Sequence, residues 1–273
     1  MSVRKVAMIL YRCCWLAFVA LVLVDVLAES LVPFGLVFVP AAAAILIGLL
    51  VGRSRADRAA DRPAVEVGPP VTGRWIALNS PADKAPSHGT HGYGQTYAID
   101  IVAEPEEGDR PPFRPLWPVA RPNRDFPAFG APLVAVADAT VVHASDGRRD
   151  HLSRNSGPAL AYLMVVEASV RDMAGPRQVF GNHIVLDLGD GTYAAYAHLR
   201  RGSLQVKAGD TVRAGQLLAH CGNSGNSTEP HVHFQLMDHP DLDAARGIPF
   251  TWRGIGVPAN GEAFTAEGAV GSG

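Results

Sequence analysis

Hydrophobic positions are spread unevenly along the chain, and that divides it. From Val6 to Val51 nearly every residue is apolar, interrupted by Arg12, Asp25 and Glu29. Residues 31–51 carry no charge and are numerous enough to cross a bilayer core of about 30 Å; residues 6–28 are long enough as well. The pattern predicts a retained membrane anchor over residues 1–52, built as two helices joined near Glu29 and Ser30. A cleaved signal peptide competes, since Arg4 and Lys5 make a basic start. Against it, the apolar run continues past the usual length and no clean A-x-A site closes it.

Arg53, Arg55, Arg58 and Arg62 follow, mixed with Asp57 and Asp61, and then Pro63, Pro69 and Pro70. Residues 53–73 therefore read as a stiff polar linker. From about Trp75 the period changes to short β-branched runs separated by Gly, Asp and Asn. Gly189-Asp190-Gly191 sits between runs that alternate Ile184/Leu186/Leu188 and Tyr196/His198, which predicts a hairpin. Residues 111–132 are proline-rich and read as an irregular loop, and no amphipathic helix is expected after residue 60. The fold class expected is thus an all-β antiparallel sheet or sandwich over residues 74–250. An N-terminal transmembrane helical segment precedes it, and a tail, 251–273, follows.

Composition narrows the partners. A net charge of −2 over 273 residues argues against a nucleic-acid-coating chain, and 48% apolar residues exclude global disorder. Three cysteines cannot make a disulfide framework: Cys13 and Cys14 lie in the apolar run, and Cys221 reads as a small buried hydrophobe.

The chemistry lies in the histidines. In HVHFQL, a strand would point His231 and His233 to one side, where two imidazoles can share a metal and its water. His198 ends another strand in YAHL. In SHGTHGYGQTYAIDIV, Asp100 lies between Ile99 and Ile101, and a carboxylate there needs a partner. His88 or His91 is near enough to supply one. Histidine, aspartate and histidine suit Zn²⁺ with one position open for water. His183 and His220 read as packing residues on strands, and His143, His151 and His239 as solvated.

These motifs resemble the M23 family of zinc metallopeptidases, the lysostaphin- and LytM-like peptidoglycan endopeptidases. The likeness covers roughly residues 74–250, through GNHIVLDLGDGTYAAYAHL, VKAGDTVRAGQLLAHCGNSGNST and PHVHFQL in order. It implies a single Zn²⁺ held by Asp100, His233 and an upstream histidine, with His198 and His231 acting on water and transition state. The family's usual HxxxD is absent; the longer spacing before QTYAID favours His88 as first ligand over His91. The resemblance further implies hydrolysis of peptidoglycan peptide bonds by an enzyme anchored in the membrane, its catalytic domain outside the cytoplasm. Basic residues at both ends of the apolar hairpin pull the other way on topology.

Two other classes compete with this one. VKAGDTVRAGQLLA also resembles the turn of biotinyl or lipoyl carriers, but residues 211–273 contain no lysine to modify. A catalytically dead M23-like domain that binds the wall or regulates another hydrolase would typically lack the HxH histidine or the aspartate, and both are present.

Overall fold

The computed structural model describes residues 3–27, 33–53, 60–105 and 109–267. Helix α1 (Val3–Leu27) runs antiparallel to α3 (Val39–Arg53), with the short α2 (Phe34–Val37) between them. Tyr11 lies against Gly48 near one end of the pair, and Phe18 meets Phe38 at 5.8 Å further along. Residues Val6–Leu27 form one helix long and apolar enough to cross a membrane, and the apolar stretch Phe34–Leu50 is shorter. The expected join at Glu29 and Ser30 lies outside the described residues.

The remainder is built on strands β1 (Val65–Val67), β2 (Gly73–Leu78), β3 (Ile99–Ala103), β4 (Pro132–Val134), β5 (Ala139–Ser145) and β6 (His183–Asp187). They continue with β7 (Tyr193–Ala197), β8 (Thr211–Val212), β9 (Leu217–His220), β10 (Val232–Met237), β11 (Gly247–Ile248), β12 (Phe250–Trp252) and β13 (Ala263–Ala266). A nine-stranded antiparallel sheet has the order β13-β2-β3-β10-β7-β6-β5-β8, with β11 also on β10. Two small ribbons, β4–β9 and the parallel β1–β12, complete it.

Strand alternation sorts the side chains of the large sheet. Ile99, Ile101, Ile184, Leu186, Tyr196, Phe234 and Leu236 face one core with Leu133, Leu218 and Trp252. The intervening Val185, Ala195, Ala197 and Met237 face a smaller cluster with Phe180. That second face also carries the polar groups described below.

Strands lie past both expected edges of the domain. β1 falls in the segment expected as a linker, and β13, in the expected tail, pairs with β2 from Ala263 to Ala266. Such strands are too short for alternation to show, and only their tertiary partners define them.

A second difference is helical. Contrary to the expectation of none after residue 60, α4 (Gly157–Tyr162), a π-helical segment (Leu163–Glu167), α5 (Ala168–Ala174) and α6 (Pro176–Phe180) form one arm. Ser156 starts it, its hydroxyl accepting from the Ala159 amide, with Pro158 in the first turn. Gly175 stops α5 at φ 107°. The pattern hid the arm because apolar residues occupy both its faces: Ala159 and Leu163 are buried, whereas Tyr162, Val166 and Val170 are exposed.

His143, expected to be solvated, lies half-buried in β5 with its ring stacked on His183 at 4.6 Å. His151 likewise departs from a solvated role, its ring nitrogens set against the carbonyls of Leu152 and Gly225. Burial lowers His183 from 6.5 to about 4, with lesser pressure from the positive charges nearby. The unfolded chain therefore takes up a proton below pH 6.5 that the folded chain refuses until about pH 4. Stability is lost as pH falls through that window. His183 alone should account for about 2 kcal/mol of lost stability between pH 7 and 5. Urea midpoints of wild type and His183→Gln at the two pH values check this; equal acid sensitivity would refute it.

Candidate metal centre

Strand register builds the centre. β10 lies between β3 and β7 so that His233 is opposite Asp100 on one side and Ala197 on the other. Because Ile99 and Ile101 point into the main core, Asp100 points to the opposite face and meets His233 there. His231 precedes His233 by one strand period and reaches the same carboxylate.

His198 follows the last residue of β7 at φ 62°, in the left-handed region that a histidine rarely occupies. Its ring nitrogen Nδ1 donates to the Ser224 carbonyl at 2.8 Å. That carbonyl is fixed by close backbone contact: a Cβ on Gly225 would lie 2.4 Å from the Val179 oxygen and 2.5 Å from the Gly181 nitrogen. The glycine-rich segment after Cys221 is thus a tight turn that holds His198.

His88 arrives from the loop between β2 and β3. Ser87 ties that loop down, its hydroxyl donating to the Ala98 carbonyl at 2.6 Å. His88 Nε2, Asp100 and His233 Nδ1 form a group whose ligand atoms lie within 4.8 Å of one another and could hold a metal ion. His91 is not in the group; its Nδ1 lies 3.0 Å from the Thr96 hydroxyl.

Hydrogen-bond partners fix the tautomers, and this decides the chemistry. Gln235 donates its amide to the Tyr93 carbonyl at 2.8 Å, which turns its oxygen to His233 Nε2 at 3.0 Å. His233 therefore carries its proton on Nε2. Ser87, its own hydrogen committed to Ala98, accepts from His88 Nδ1 at 3.0 Å. His231 Nδ1 donates to the Glu229 carbonyl at 2.8 Å.

With the outer nitrogens donating, the inner nitrogens are the ones that can offer a lone pair to a cation. Those of His88 and His233 sit 2.9 Å from Asp100 Oδ2 and Oδ1, and that of His231 sits 3.5 Å from Oδ1. Lone pairs aimed at a buried carboxylate repel unless a cation lies among them. The donor set therefore fits a metal ion.

Without a cation, the carboxylate draws on the imidazoles for its countercharge. Burial pushes the Asp100 carboxyl up, but His88 and His231 outweigh it and hold it well below the usual carboxylate range. Burial drives His198 well down, helped by His231 and His233, and also lowers His233. His231 is raised, because Asp100 overcomes its burial. Asn79 adds a donor to Asp100 Oδ2 at 2.8 Å.

A cleft of about 670 Å³ opens over these groups. Tyr93, Phe180 and Asp172 line it, and so do Met8, Tyr11 and Arg12 of α1 and Ile47 of α3. The base of the helical hairpin thus forms one wall. Sequence reasoning missed Asn79, Ser87 and Gln235; an amide two residues after the HxH histidine, on the same strand face, was the available signal for Gln235. Cys221 is buried, which pushes its thiol up and leaves it inert.

Part of the chain is similar to known proteins. Residues 163–244, which include His198, His231 and His233, match Peptidase family M23. Glycyl-glycine endopeptidase ALE-1 of Staphylococcus capitis is 42% identical over 74 residues, 27% of this chain and 18% of that protein. Peptidoglycan DD-endopeptidase ShyA of Vibrio cholerae is 37% identical over 57 residues, 21% of this chain and 13% of that protein. The solved catalytic domain of lysostaphin from Staphylococcus simulans shares 23% identity, with 58% of this chain and 76% of that one covered and a TM-score of 0.32. The matched region thus spans less than a fifth of the length of ALE-1 and of ShyA. The M23 resemblance carried by the motifs holds over residues 163–244, and His88 and Asp100 lie upstream of them.

Proposed function

We propose that the chain is a zinc-dependent endopeptidase acting on the peptide bonds of bacterial peptidoglycan. His88, Asp100 and His233 would hold the metal, and His198 and His231 would act on water and the transition state. The observation that carries this reading is the convergence of ring nitrogens of His88, His231 and His233 on one buried carboxylate, with their other nitrogens held by Ser87, Glu229 and Gln235.

Zinc supplies Lewis acidity when bound, lowering the pKa of a water toward about 7 and polarising the scissile carbonyl. The chain's own residues do the rest. Gln235 and Ser87 keep the His233 and His88 lone pairs pointed inward. His198 and His231, held from behind by the Ser224 and Glu229 carbonyls, each have an Nε2 available to exchange a proton or to steady developing charge. Their rings stand 4.7 Å apart, so the two can serve one substrate.

In this reading the apolar hairpin anchors the enzyme in the membrane and the catalytic domain stands outside the cytoplasm, where peptidoglycan is. The amide bonds cut in the Staphylococcus and Vibrio relatives, as their names state, are peptidoglycan peptide bonds or glycyl-glycine bonds.

The test is amine release from purified sacculi by the zinc-loaded protein. Release should stop with a chelator and collapse below about pH 6, where protons compete for imidazoles of ordinary pKa about 6.5. Chelator-insensitive release would rule out the metal. No release from several peptidoglycan chemotypes would favour a binding or regulatory domain.

A further inference from the structure

Outside the helical hairpin, exposed large hydrophobic residues are concentrated in one region. Among the described residues, all but Val142 and Leu217 fall in loop 113–119, at Leu152, or in the arm over 162–170. Leu116 and Trp117 are 73% and 79% exposed, and Tyr162, Met164 and Val170 are each just over half exposed. Soluble surfaces rarely leave so many large apolar side chains together without a partner.

Loop and arm are one surface. The Arg114 amide donates to the Asn155 carbonyl, the Gly157 amide to the Arg114 carbonyl, and the Ser156 hydroxyl to the Val119 carbonyl. A Cβ on Gly157 would lie 2.4 Å from the Pro115 oxygen, so the loop crosses the first turn of the arm in direct contact.

The far end of the arm is fastened to the hairpin. Arg12, the one basic residue between Val6 and Leu27, is paired with Asp172 of α5. Cys13 touches Met173 beside it. From Arg12 to Leu27, α1 rises a further ~22 Å at 1.5 Å per residue. An arginine with its countercharge at that level is placed where a helix leaves hydrocarbon for the headgroups.

We infer that the arm and loop 113–119 form a second membrane contact, lying in the interfacial layer beside the hairpin. The occupant of this surface is the bilayer itself. Continuity with α1 argues for lipid, and so do the exposed Trp117 and Tyr162, residue types that favour the headgroup boundary. The contact would hold the cleft mouth, walled by Met8, Tyr11 and Arg12, against the membrane surface. This inference rests on the reading of the hairpin as a membrane anchor.

The experiment uses the full chain in nanodiscs whose phosphatidylcholine and phosphatidylglycerol carry bromine on the acyl chains, a contact quencher of tryptophan. Trp75 and Trp252 are buried in the core, which leaves Trp15 and Trp117 as reporters. Quenching of Trp15, seen as emission lost in Trp117→Phe, where Trp15 is the remaining accessible reporter, tests the anchor alone.

In Trp15→Phe, brominated lipid should still reduce emission, and adding Trp117→Phe should remove that loss. A tryptophan moved to the arm, Val166→Trp in the doubly substituted background, should restore quenching, whereas Val142→Trp should not. If Trp15 is quenched but Trp117 and Val166→Trp emit as they do in unbrominated discs, the second contact is wrong and the anchor stands. Concentration-dependent shielding of both positions without quenching would instead assign the surface to a second copy of the chain.

Discussion

Asp100→Ala should reduce bound zinc from about one equivalent per chain to almost none, and amide hydrolysis should fall by on the order of 10³-fold or more. The variant leaves His88 and His233 facing each other with no anionic ligand between them. Asp100→Asn guards against a folding defect: it keeps the shape and the contact with Asn79 while removing the charge, and should lose zinc nearly as completely. His233→Ala should behave like Asp100→Ala. His88→Ala should lose the metal and His91→Ala should keep it, since His91 is turned to Thr96. Metal analysis of the purified variants reads all five, and full zinc retention by Asp100→Ala and His233→Ala would sink the assignment.

His198 should separate from the ligands by keeping zinc while losing turnover. A group that exchanges a proton or steadies charge in the transition state is typically worth about 10² to 10⁴ in rate. His198→Asn is preferable to His198→Ala as the test, because asparagine tolerates the left-handed backbone at φ 62° and alanine adds strain there. The expected outcome is unchanged zinc content and thermal stability with kcat reduced by that factor and KM little altered. Wild-type turnover on sacculi would show that His198 only braces the loop through Ser224.

What the sequence disclosed and what it hid follow from the range of the interactions. The hairpin around Gly189-Asp190-Gly191 and the HVHFQL strand were legible, because alternation over several residues is a local property. So was the need of Asp100 for a partner. His88 was favoured over His91 only through the family resemblance, since its approach to Asp100 depends on how the loop winds back, with Tyr93 and Gly94 at positive φ and Ser87 as the anchor. Gln235, Ser87 and Asn79 were invisible in their roles, because each acts through a tertiary hydrogen bond. The arm was hidden because its outer face is as apolar as its inner one.

The pairing of β13 with β2 bears on how the protein can be shortened. A recombinant fragment cut at residue 250, the expected end of the domain, would strip β13 from the edge of the sheet. β2 would then show a row of unsatisfied amides and carbonyls to solvent, next to the uncovered Trp75, which invites edge-to-edge aggregation. Starting after residue 67 would likewise leave β12 without β1. A soluble catalytic fragment should therefore keep residues 60–267, and poor yield from a tighter cut would report a torn sheet rather than an unstable metal centre.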